Sequence, residues 1–389
     1  MNTNERAAQY KDYVVEMRRY FHMHPELSLE EYETTEFVAK ELDKIGVPYE
    51  RLTKTGLIAT IQGKSSGKTV ALRSDMDALN VTQKNEVSYK SLNEGKMHAC
   101  GHDAHTAILL GAANILNEMK DTFHGTVNLV FQPAEEVAAG AKDLMAAGDW
   151  YNKVDNFFGA HVWSGLESGK VSIEAGERMA AADLFKIKVT GKSGHGSMPH
   201  QTVDSVVVAS AIVLNLQTLV SREYSPLDAL VITVGSIHSG NRFNVIAGSA
   251  ELEGTVRYFT REIAGTIEDS MRRVVESTAA MYRCEATLEY SYVTPPLING
   301  ESSSAVAYEA ALKTHGAENI CKLEKTTGGE DFAYYLKDKP GCFAFIGTKN
   351  VEKKTDVAHH NEYFDVDEDA LIGGSALYAE YAMTYLNQN

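Results

Sequence analysis

The sequence has little of what several protein classes require. Its four cysteines, Cys100, Cys284, Cys321 and Cys342, lie far apart and form no CxxC pair. This argues against a disulfide framework and against a structural zinc knuckle. The sequence also lacks internal repeats and low-complexity segments, so its 389 residues indicate an ordinary globular protein, long enough for two domains.

Positive charge is also scarce. There are 37 Lys and Arg against 53 Asp and Glu, for a net charge of −16, and no Lys/Arg-rich run offsets it locally. Such a chain repels phosphate backbones and anionic lipids, so nucleic-acid and membrane partners are not expected. The longest apolar stretch, Val206–Leu214, is too short to span a bilayer, and the charged N-terminal segment lacks a signal-peptide core. We therefore expect a cytoplasmic protein.

Two common catalytic signatures are missing as well. GKSSGKT has three residues between its glycines where a phosphate-binding loop has four, and it precedes a strand where that motif requires a helix. The Gly-x-Ser-x-Gly turn of serine hydrolases does not occur. These absences argue against nucleotide binding and against a serine nucleophile.

Periodicity predicts an α/β protein with an insertion. Helical patterns at 5–22, 31–45, 105–119 and 137–147 alternate with the strand-like runs GLIATI, TVALRSD, TVNLVFQ and NFFGAHV. This alternation predicts a mostly parallel mixed sheet flanked by helices. After Gly176 the pattern becomes β-α-β-β-α-β, the order of the ferredoxin-like motif. From TPPLING onward it returns to helix and strand, ending in an amphipathic helix at 367–386. We predict a discontinuous domain, residues 1–182 and 295–389, interrupted by an α+β domain at 183–294.

The stretch MHACGHDAHTAILLGAA is the first candidate site. Cys100 and His102 would point to nearly opposite faces of a helix, so a shared metal ion requires a loop there. Asp103 would then cap a helix that begins at Ala104. The structural alternative is a helix start whose polar side chains only satisfy unpaired backbone N–H groups.

Further metal-ligand residue types follow predicted strands. Glu135 and Glu136 follow TVNLVFQ, and RSDMDAL places Asp75 and Asp77 two apart at the end of another strand. His161 in GAHVW is predicted to end a strand, and His359 and His360 to lie in a loop. Each has a structural alternative, such as an acidic first turn of a helix. Together they lie at the carboxyl ends of predicted parallel strands, where α/β sheets place their sites. The thiolate, imidazole and carboxylate set suits zinc, manganese, cobalt or nickel better than magnesium or calcium.

Seven ordered blocks carry a resemblance to a known family: HACGHDAHTAILLGAA, VFQPAEE, GAHVW, GKSGHGSMPH, NVIAGSAELEGTVR, GGEDFAYY and HHNEYFDVDEDAL. The chain resembles the metal-dependent aminoacylase/carboxypeptidase family from about residue 13 to 385. The specific likeness is to the amidohydrolase branch, which includes hippurate hydrolase, N-acyl-amino-acid and N-acetyl-diaminopimelate deacetylases and auxin-conjugate hydrolases.

The resemblance implies roles for individual residues. Two divalent metal ions, zinc or manganese with cobalt and nickel as further candidates, would be held by Cys100, His102, Glu136, His161 and His360. Glu135 would be the general base, with Asp75 and Asp77 as orienting groups behind the ligands. His195 would be an oxyanion donor from the inserted lid domain, and it reaches across from the partner subunit in relatives. Asn244 and Arg257 would hold the substrate carboxylate. Gly328, Gly329, Glu330 and Asp331 resemble an acidic turn near the metals, although an ordinary helix N-cap also explains them.

The expected activity is hydrolysis of the amide bond of N-acyl L-amino acids, N-acetyl or aromatic N-acyl, by a cytoplasmic homodimer or higher homo-oligomer. A dipeptidase or carboxypeptidase with the same centre is the alternative among hydrolases. A non-catalytic, metal-dependent binding homologue is the alternative of another class. The loop GNRFNVIAG departs from the family in having Asn-Arg-Phe before the motif and Ala-Gly where a proline often follows, which bears on acyl or side-chain preference.

Overall fold

The computed structural model describes residues 2–388. The strands are β1 (Tyr49–Glu50), β2 (Leu57–Gln62), β3 (Thr69–Asp75), β4 (Thr126–Gln132), β5 (Asn156–Glu167), β6 (Val171–Ser172), β7 (Gly176–Met179), β8 (Ala182–Thr190), β9 (Gly194–His195), β10 (Leu230–Ser239), β11 (Val245–Ile246), β12 (Ser249–Tyr258), β13 (Glu285–Thr294), β14 (Leu297–Asn299) and β15 (Gly341–Lys349). The α-helices are α1 (Thr3–Gln9), α2 (Lys11–Met23), α3 (Tyr32–Ile45), α4 (His102–Glu118), α5 (Gly140–Ala146), α6 (Trp150–Lys153), α7 (Ser205–Thr218), α8 (Arg261–Ala264), α9 (Ile267–Met281), α10 (Glu301–Thr314) and α11 (Leu371–Gln388).

The chain divides into two compact units. The first runs to Gly176 and also contains Ile298–Glu324 and the chain from Tyr334 onward, whereas the second contains Glu177–Leu297 and Lys325–Ala333. Each unit has its own apolar core. The first unit is therefore discontinuous in sequence.

The first unit is built on a seven-stranded mixed sheet in the order β1-β2-β4-β3-β5-β15-β6. The four neighbours β4, β3, β5 and β15 are parallel to one another, and antiparallel strands flank them. β3 and β4 are buried almost throughout, as expected of parallel strands covered on both faces. The predicted fold class is confirmed.

Helix α4 lies in the core of the first unit and packs against β3, α2 and α11. Gly111 makes the close approach possible, because a Cβ there would lie 2.3 Å from Oγ of Ser375 in α11 and 2.6 Å from Cγ2 of Val14 in α2. The prediction that the last helix is amphipathic is wrong. α11 is buried almost all round its circumference from Leu371 to Leu386, as a helix inside a large core is.

The second unit has the topology predicted for it. Its four-stranded antiparallel sheet has the order β10-β12-β8-β13, and α7 and α9 pack together against it. This is the strand order of a ferredoxin-like unit, in which the first and third strands are central. β10 forms one edge of the sheet.

One helical segment of the described chain, Ser205–Glu223, meets the length and composition of a membrane span, with a mean hydropathy of 1.4. It comprises α7 and a π-helical turn, Leu219–Glu223, and is longer than the apolar run on which the sequence expectation was based. Core helices of other proteins pass the same test, so one such helix is weak support for a membrane span. Val208, Ile212 and Leu216 of α7 are buried in the second unit's core.

Candidate metal centre

The predicted ligands of the first unit meet at the carboxyl edge of its parallel strands. β3 ends at Asp75, β4 ends shortly before Glu135, and α4 begins at His102. His161 lies within β5, in register with Phe345 of β15. The prediction that His161 ends its strand is wrong, because β5 continues to Glu167. The carboxyl edge of the parallel strands is nevertheless where α/β sheets place their binding and catalytic sites.

Gly101 lets the chain turn between Cys100 and His102. Its φ of 96° lies in the left-handed region, and a Cβ there would lie 2.4 Å from Cγ2 of Val162. Cys100 therefore precedes the helix while His102 is its first residue, and both side chains reach the same site. This is the loop that a shared ion requires.

Asp103 does not cap α4, so that prediction is wrong. Among the described residues the N-cap position belongs to Gly101, with no side-chain cap hydrogen bond. Asp103 lies in the first turn, where its Oδ2 accepts from Nε of Arg18 at 2.9 Å and contacts Nδ1 of His22 at 2.7 Å. All three side chains are fully buried. The carboxylate thus ties the start of α4 to α2.

Two groups of candidate ligands share one residue. Cys100, His102 and His161 form one group, and Cys100, Glu136 and His360 form the other, with the ligand atoms of each group within 4.8 Å of one another. Sγ of Cys100 is 3.4 Å from Nε2 of His161, and Nε2 of His360 is 3.5 Å from Oε1 of Glu136. The structure therefore brings together all five residues named as ligands. Glu135 joins them in a third group with His102 and Glu136.

The donor set fits metal ions. Nε2 of His102 and Oε1 of Glu136 are buried without a hydrogen-bond partner among the described residues, and they lie 3.9 Å apart. Nδ1 of His102 faces Oδ1 of Asp77 at 3.2 Å, and Nδ1 of His161 lies 2.6 Å from the carbonyl oxygen of Val162. These contacts assign the proton to Nδ1 in each ring and leave the Nε2 lone pair for a cation.

The electrostatics also favour a cation. Burial, followed by the carboxylate of Glu136, raises the pKa of the Cys100 thiol well above its usual value; a bound dication stabilises the thiolate instead. Burial and the neighbouring His105 hold the pKa of His161 well below its usual value, so this ring is neutral and can coordinate. Burial opposes a charge on His102, but Asp75 and Cys100 raise its pKa, so a proton and a dication compete for its Nε2.

Asp77 lies behind His102, on the Nδ1 side of the ring, whereas Oδ2 of Asp75 lies 3.9 Å from its Nε2. Asp77 contacts Nδ1 of that ring, and its two oxygens also accept from the backbone N–H groups of Glu135 and Glu136. Asp75 accepts from Nη1 of Arg73 at 2.7 Å. The contacts of Asp77 suit a group that orients ligands, whereas Asp75 also belongs to a candidate ligand group with His102 and His105.

His105 is a residue that sequence reasoning missed. Its Nδ1 contacts Oδ1 of Asp75 at 2.5 Å, and its Nε2 accepts from the N–H of Val162 at 2.8 Å. With both nitrogens engaged, the ring links Asp75 to the strand that carries His161. The i, i+3 spacing from His102 on α4 was the sequence signal that could have identified His105.

His359 is engaged at both nitrogens too, by the carbonyl oxygen of Cys100 and the N–H of Ser164.

The remaining predicted residues lie in the second unit. His195 and Asn244 are neighbours there, because β9 pairs with β11 and the N–H of Gly196 donates to the carbonyl oxygen of Asn244 at 2.9 Å. Nδ1 of the exposed His195 accepts from the N–H of Ser197 at 3.1 Å. This leaves Nε2–H as an outward donor. Arg257 lies on β12, where its Nη1 donates to Oγ1 of Thr255 at 2.7 Å.

The pattern of the peptidase family M20/M25/M40 matches residues 71–384 of this chain. The chain belongs to the peptidase family M20/M25/M40. An IAA-amino acid hydrolase ILR1-like 4 from Arabidopsis thaliana is 40% identical over 96% of this chain and 86% of its own length. An N-acetyl-L-cysteine deacetylase from Bacillus subtilis is 39% identical over 97% of this chain and 89% of its own length.

A solved structure extends the likeness to three dimensions. The Bacillus subtilis YXEP protein, described as a dinuclear metal binding peptidase from the M20 family, superposes with a TM-score of 0.87 at 34% identity and covers 98% of this chain and all of its own. The predicted membership of the amidohydrolase branch is confirmed by these relatives. The M20/M25/M40 protein described here is accordingly a hydrolase.

Proposed function

We propose that this protein is a dinuclear metal amidohydrolase that cleaves the amide bond of N-acyl amino acids, releasing a carboxylic acid and a free amino acid. The sharing of Cys100 by two ligand groups carries the proposal, because one thiolate common to two triads suits a pair of ions. The substrate class is supported by relatives named for the hydrolysis of IAA-amino acids and the deacetylation of N-acetyl-L-cysteine.

Five side chains would hold the two ions: Cys100, His102, Glu136, His161 and His360. A thiolate with three imidazoles favours zinc or manganese, with cobalt and nickel as further candidates, over magnesium or calcium. When bound, the ions supply a Lewis acid for the amide carbonyl and lower the pKa of water.

Glu135 is the proposed general base. Its carboxylate groups with His102 and Glu136, and Asp77 holds the backbone N–H of both glutamates. Glu135 takes a proton from the attacking water as the new C–O bond forms. It then gives this proton to the amine nitrogen as the C–N bond breaks.

The second unit supplies the proposed substrate contacts. The outward Nε2–H of His195 would stabilise the negative charge that develops on the carbonyl oxygen. Arg257 and Asn244 would hold the free carboxylate of the substrate, for which a guanidinium is a natural bidentate partner.

We also propose a cytoplasmic homodimer formed through the second unit. Val206, Val207 and Leu214 on α7 are 45%, 47% and 70% exposed, and Val231 and Ile237 are exposed on the edge strand β10. Apolar side chains beside an unpaired strand edge are typical of a surface that another chain covers. Among residues 2–388 none of the four cysteines forms a disulfide, which suits a reducing compartment. A monomer by light scattering at micromolar concentration would contradict the dimer.

The test is a substrate panel with controlled metal content. Metal-stripped protein is given zinc, manganese, cobalt or nickel, and amine release is measured from N-acetyl, N-benzoyl and longer N-acyl amino acids beside dipeptides. We expect turnover of acyl amino acids that disappears with a chelator and returns with metal. Turnover confined to dipeptides would favour a peptidase, the alternative that the family name supports.

Replacing the proposed base separates chemistry from metal binding. We expect Glu135→Ala to lower kcat at least 100-fold, the scale of general-base catalysis, while two metal ions per chain remain by elemental analysis. Glu136→Ala is the matched variant, since it removes a ligand and is expected to lose metal as well. An active Glu135→Ala protein would contradict the assignment.

A further inference from the structure

Three consecutive backbone N–H groups in the turn after β4 are held by carboxyl groups. The N–H of Ala134 donates to Oε1 of Glu31 at 2.7 Å. Those of Glu135 and Glu136 donate to the two oxygens of Asp77 at 3.1 and 3.0 Å. The turn that carries the proposed base and a proposed ligand is therefore fixed from outside by two side chains.

The turn adopts a conformation that its sequence does not favour. Ala134 has a φ of 54° and Ala138 a φ of 51°, in the left-handed region that residues with a Cβ rarely enter. A Cβ on Gly140 would lie 1.6 Å from the carbonyl oxygen of Pro133, so the chain also folds tightly back on itself. Such backbone persists only when its surroundings hold it in place.

The side chain of Glu31 serves the turn instead of its own helix. Glu31 occupies the N-cap position of α3, yet in the described structure it makes no side-chain cap hydrogen bond. Glu26 takes over that task, accepting from the N–H groups of Glu33 and Thr34 at 3.1 and 2.7 Å. The carboxyl group of Glu31 is thereby directed away from α3 toward Ala134.

Stability alone does not account for a carboxyl group at this position. The side chain is completely buried, and burial followed by the nearby Asp77 raises the pKa of Glu31 to about 7. Burying an ionisable group beside another carboxylate is unfavourable for folding. Ser28, from the same short segment, donates to Oδ2 of Asp77 at 2.6 Å. Residues 28–31 therefore supply one of the two carboxyl groups that hold the turn and contact the other.

We infer that Glu31 is a positioning residue for hydrolysis, which holds the N–H of Ala134 and so sets the direction in which the side chains of Glu135 and Glu136 leave the turn. The inference rests on the proposed function, because that function makes Glu135 the base and Glu136 a ligand. The contact that carries this role is the hydrogen bond from the N–H of Ala134. Glu31 acts through the backbone of the turn.

The decisive comparison is between Glu31→Gln and Glu31→Asp. Glutamine keeps the reach of the side chain and an acceptor oxygen without the charge, whereas aspartate keeps the charge but is one methylene too short. We expect Glu31→Gln to retain most of the wild-type kcat. Glu31→Asp is expected to lower kcat on the order of 100-fold, as displaced catalytic groups do, with KM little changed. The opposite ranking would overturn the inference in favour of a role for the charge.

Hydrogen exchange gives a readout that needs no substrate. In metal-free protein, the amide of Ala134 is expected to be protected in the wild type and in Glu31→Gln, and to exchange faster in Glu31→Asp. Equal protection in all three proteins would overturn the inference. If the wild type hydrolyses no acyl amino acid, the proposed function fails, while the exchange data still decide whether Glu31 holds the turn.

A second substitution tests the route of action. Glycine adopts a positive φ without the penalty that a Cβ brings, so Ala134→Gly in the Glu31→Asp protein is expected to restore part of the lost kcat. No recovery would contradict an effect exerted through this turn.

Asn299→Leu is the matched control for a lost buried acceptor. Oδ1 of the buried Asn299 accepts from the N–H of Phe343 at 2.7 Å, in the first unit but outside the turn. We expect this variant to lower the melting temperature and leave kcat unchanged. A kcat loss equal to that of Glu31→Asp would show that general destabilisation explains both.

Discussion

At the scale of single residues, the site depends on which nitrogen each imidazole ring leaves free. His161 and His102 each engage Nδ1 with the protein and turn Nε2 toward the other ligands, whereas His105 engages both nitrogens. The proposed ligands could be named from the sequence because their spacing and family motifs are local. The sequence did not predict His105 or Glu31 as supports, since their partners Asp75 and Ala134 lie 30 and 103 residues away.

Gly101 is where a single methyl group is expected to disturb the ligands most. In Gly101→Ala the new Cβ would meet Val162 next to His161, and the left-handed backbone adds about 1–2 kcal/mol of strain. We expect metal affinity to fall about 10- to 100-fold, the scale seen when groups that support ligands are disturbed. Calorimetric titration of metal-free protein with zinc measures this.

Gly46→Ala is the control for that experiment. Gly46 ends α3 with a φ of 77°, but an added Cβ there meets nothing within 4 Å. The same strain of about 1–2 kcal/mol is expected in its unfolding free energy, with metal affinity unchanged. Equal metal loss in both variants would contradict a specific role for Gly101.

At the scale of secondary-structure elements, the sequence predicted the bounds of the strands better than the start of α4 and the burial of α11. TVALRSD and TVNLVFQ coincide with β3 and β4, because buried parallel strands are continuous apolar runs bounded by loops. The predicted start of α4 was wrong, since the helix begins directly after a left-handed turn at Gly101, which packs against Val162. The prediction that the last helix is amphipathic was wrong because the polar residues of α11 are buried along with its apolar ones.

The start of α4 is held to α2 by a buried ion pair. Burial opposes the charge on Asp103, but Arg18 and His22 hold the pKa of Asp103 below its usual value. Arg18→Met leaves Asp103 and Asp365 without their cation. We expect the unfolding free energy to fall by about 3–5 kcal/mol, as in other broken buried pairs, measured by urea denaturation.

The next residue provides the control for that prediction. Arg19 is 44% exposed and pairs with Glu368 at 2.6 Å. Arg19→Met is expected to change the unfolding free energy by less than about 1 kcal/mol, because exposed ion pairs contribute little. An equal fall in unfolding free energy for the two variants would show that the buried ion pair stabilises the protein no more than the exposed one.

His315, at the end of α10, is expected to make the free energy of unfolding depend on pH. Burial lowers its pKa from 6.5 to about 4, so protons bind the unfolded chain more tightly. The stability it contributes is complete above pH 6.5 and is lost as pH falls toward 4, by up to about 3 kcal/mol. Urea denaturation of metal-free His315→Gln is expected to show a flatter profile over this range. His124→Gln, which alters an exposed histidine, is expected to keep the wild-type slope.

At the scale of the whole molecule, the proposed residues are divided between two units. The ligands and Glu135 belong to the first, while His195, Asn244 and Arg257 belong to the second. The mostly parallel mixed sheet and the β-α-β-β-α-β insertion were predicted from periodicity along the chain. Periodicity along the chain does not predict the proposed dimer, because a dimer depends on which exposed side chains fit another copy of the chain.

Mixing inactive variants tests whether a dimer completes its sites with residues from both chains. Glu135→Ala and His195→Ala are each expected to be inactive alone. If His195 acts on the site of its partner, random exchange in a two-fold dimer gives about a quarter of wild-type activity, since half of the dimers are mixed and each has one intact site. No recovery after confirmed exchange would contradict action across the dimer.

The central position of α11 has a consequence for synthesis of the protein. α11 packs against α4, and Oγ of Ser375 donates to the carbonyl oxygen of Ile108 at 2.9 Å. A ribosome that has just made Cys100 and His102 must still translate the whole second unit and the rest of the first before this partner emerges. The nascent chain thus carries two of its proposed metal ligands on an unfinished core, and the compact inserted unit can fold before that core closes.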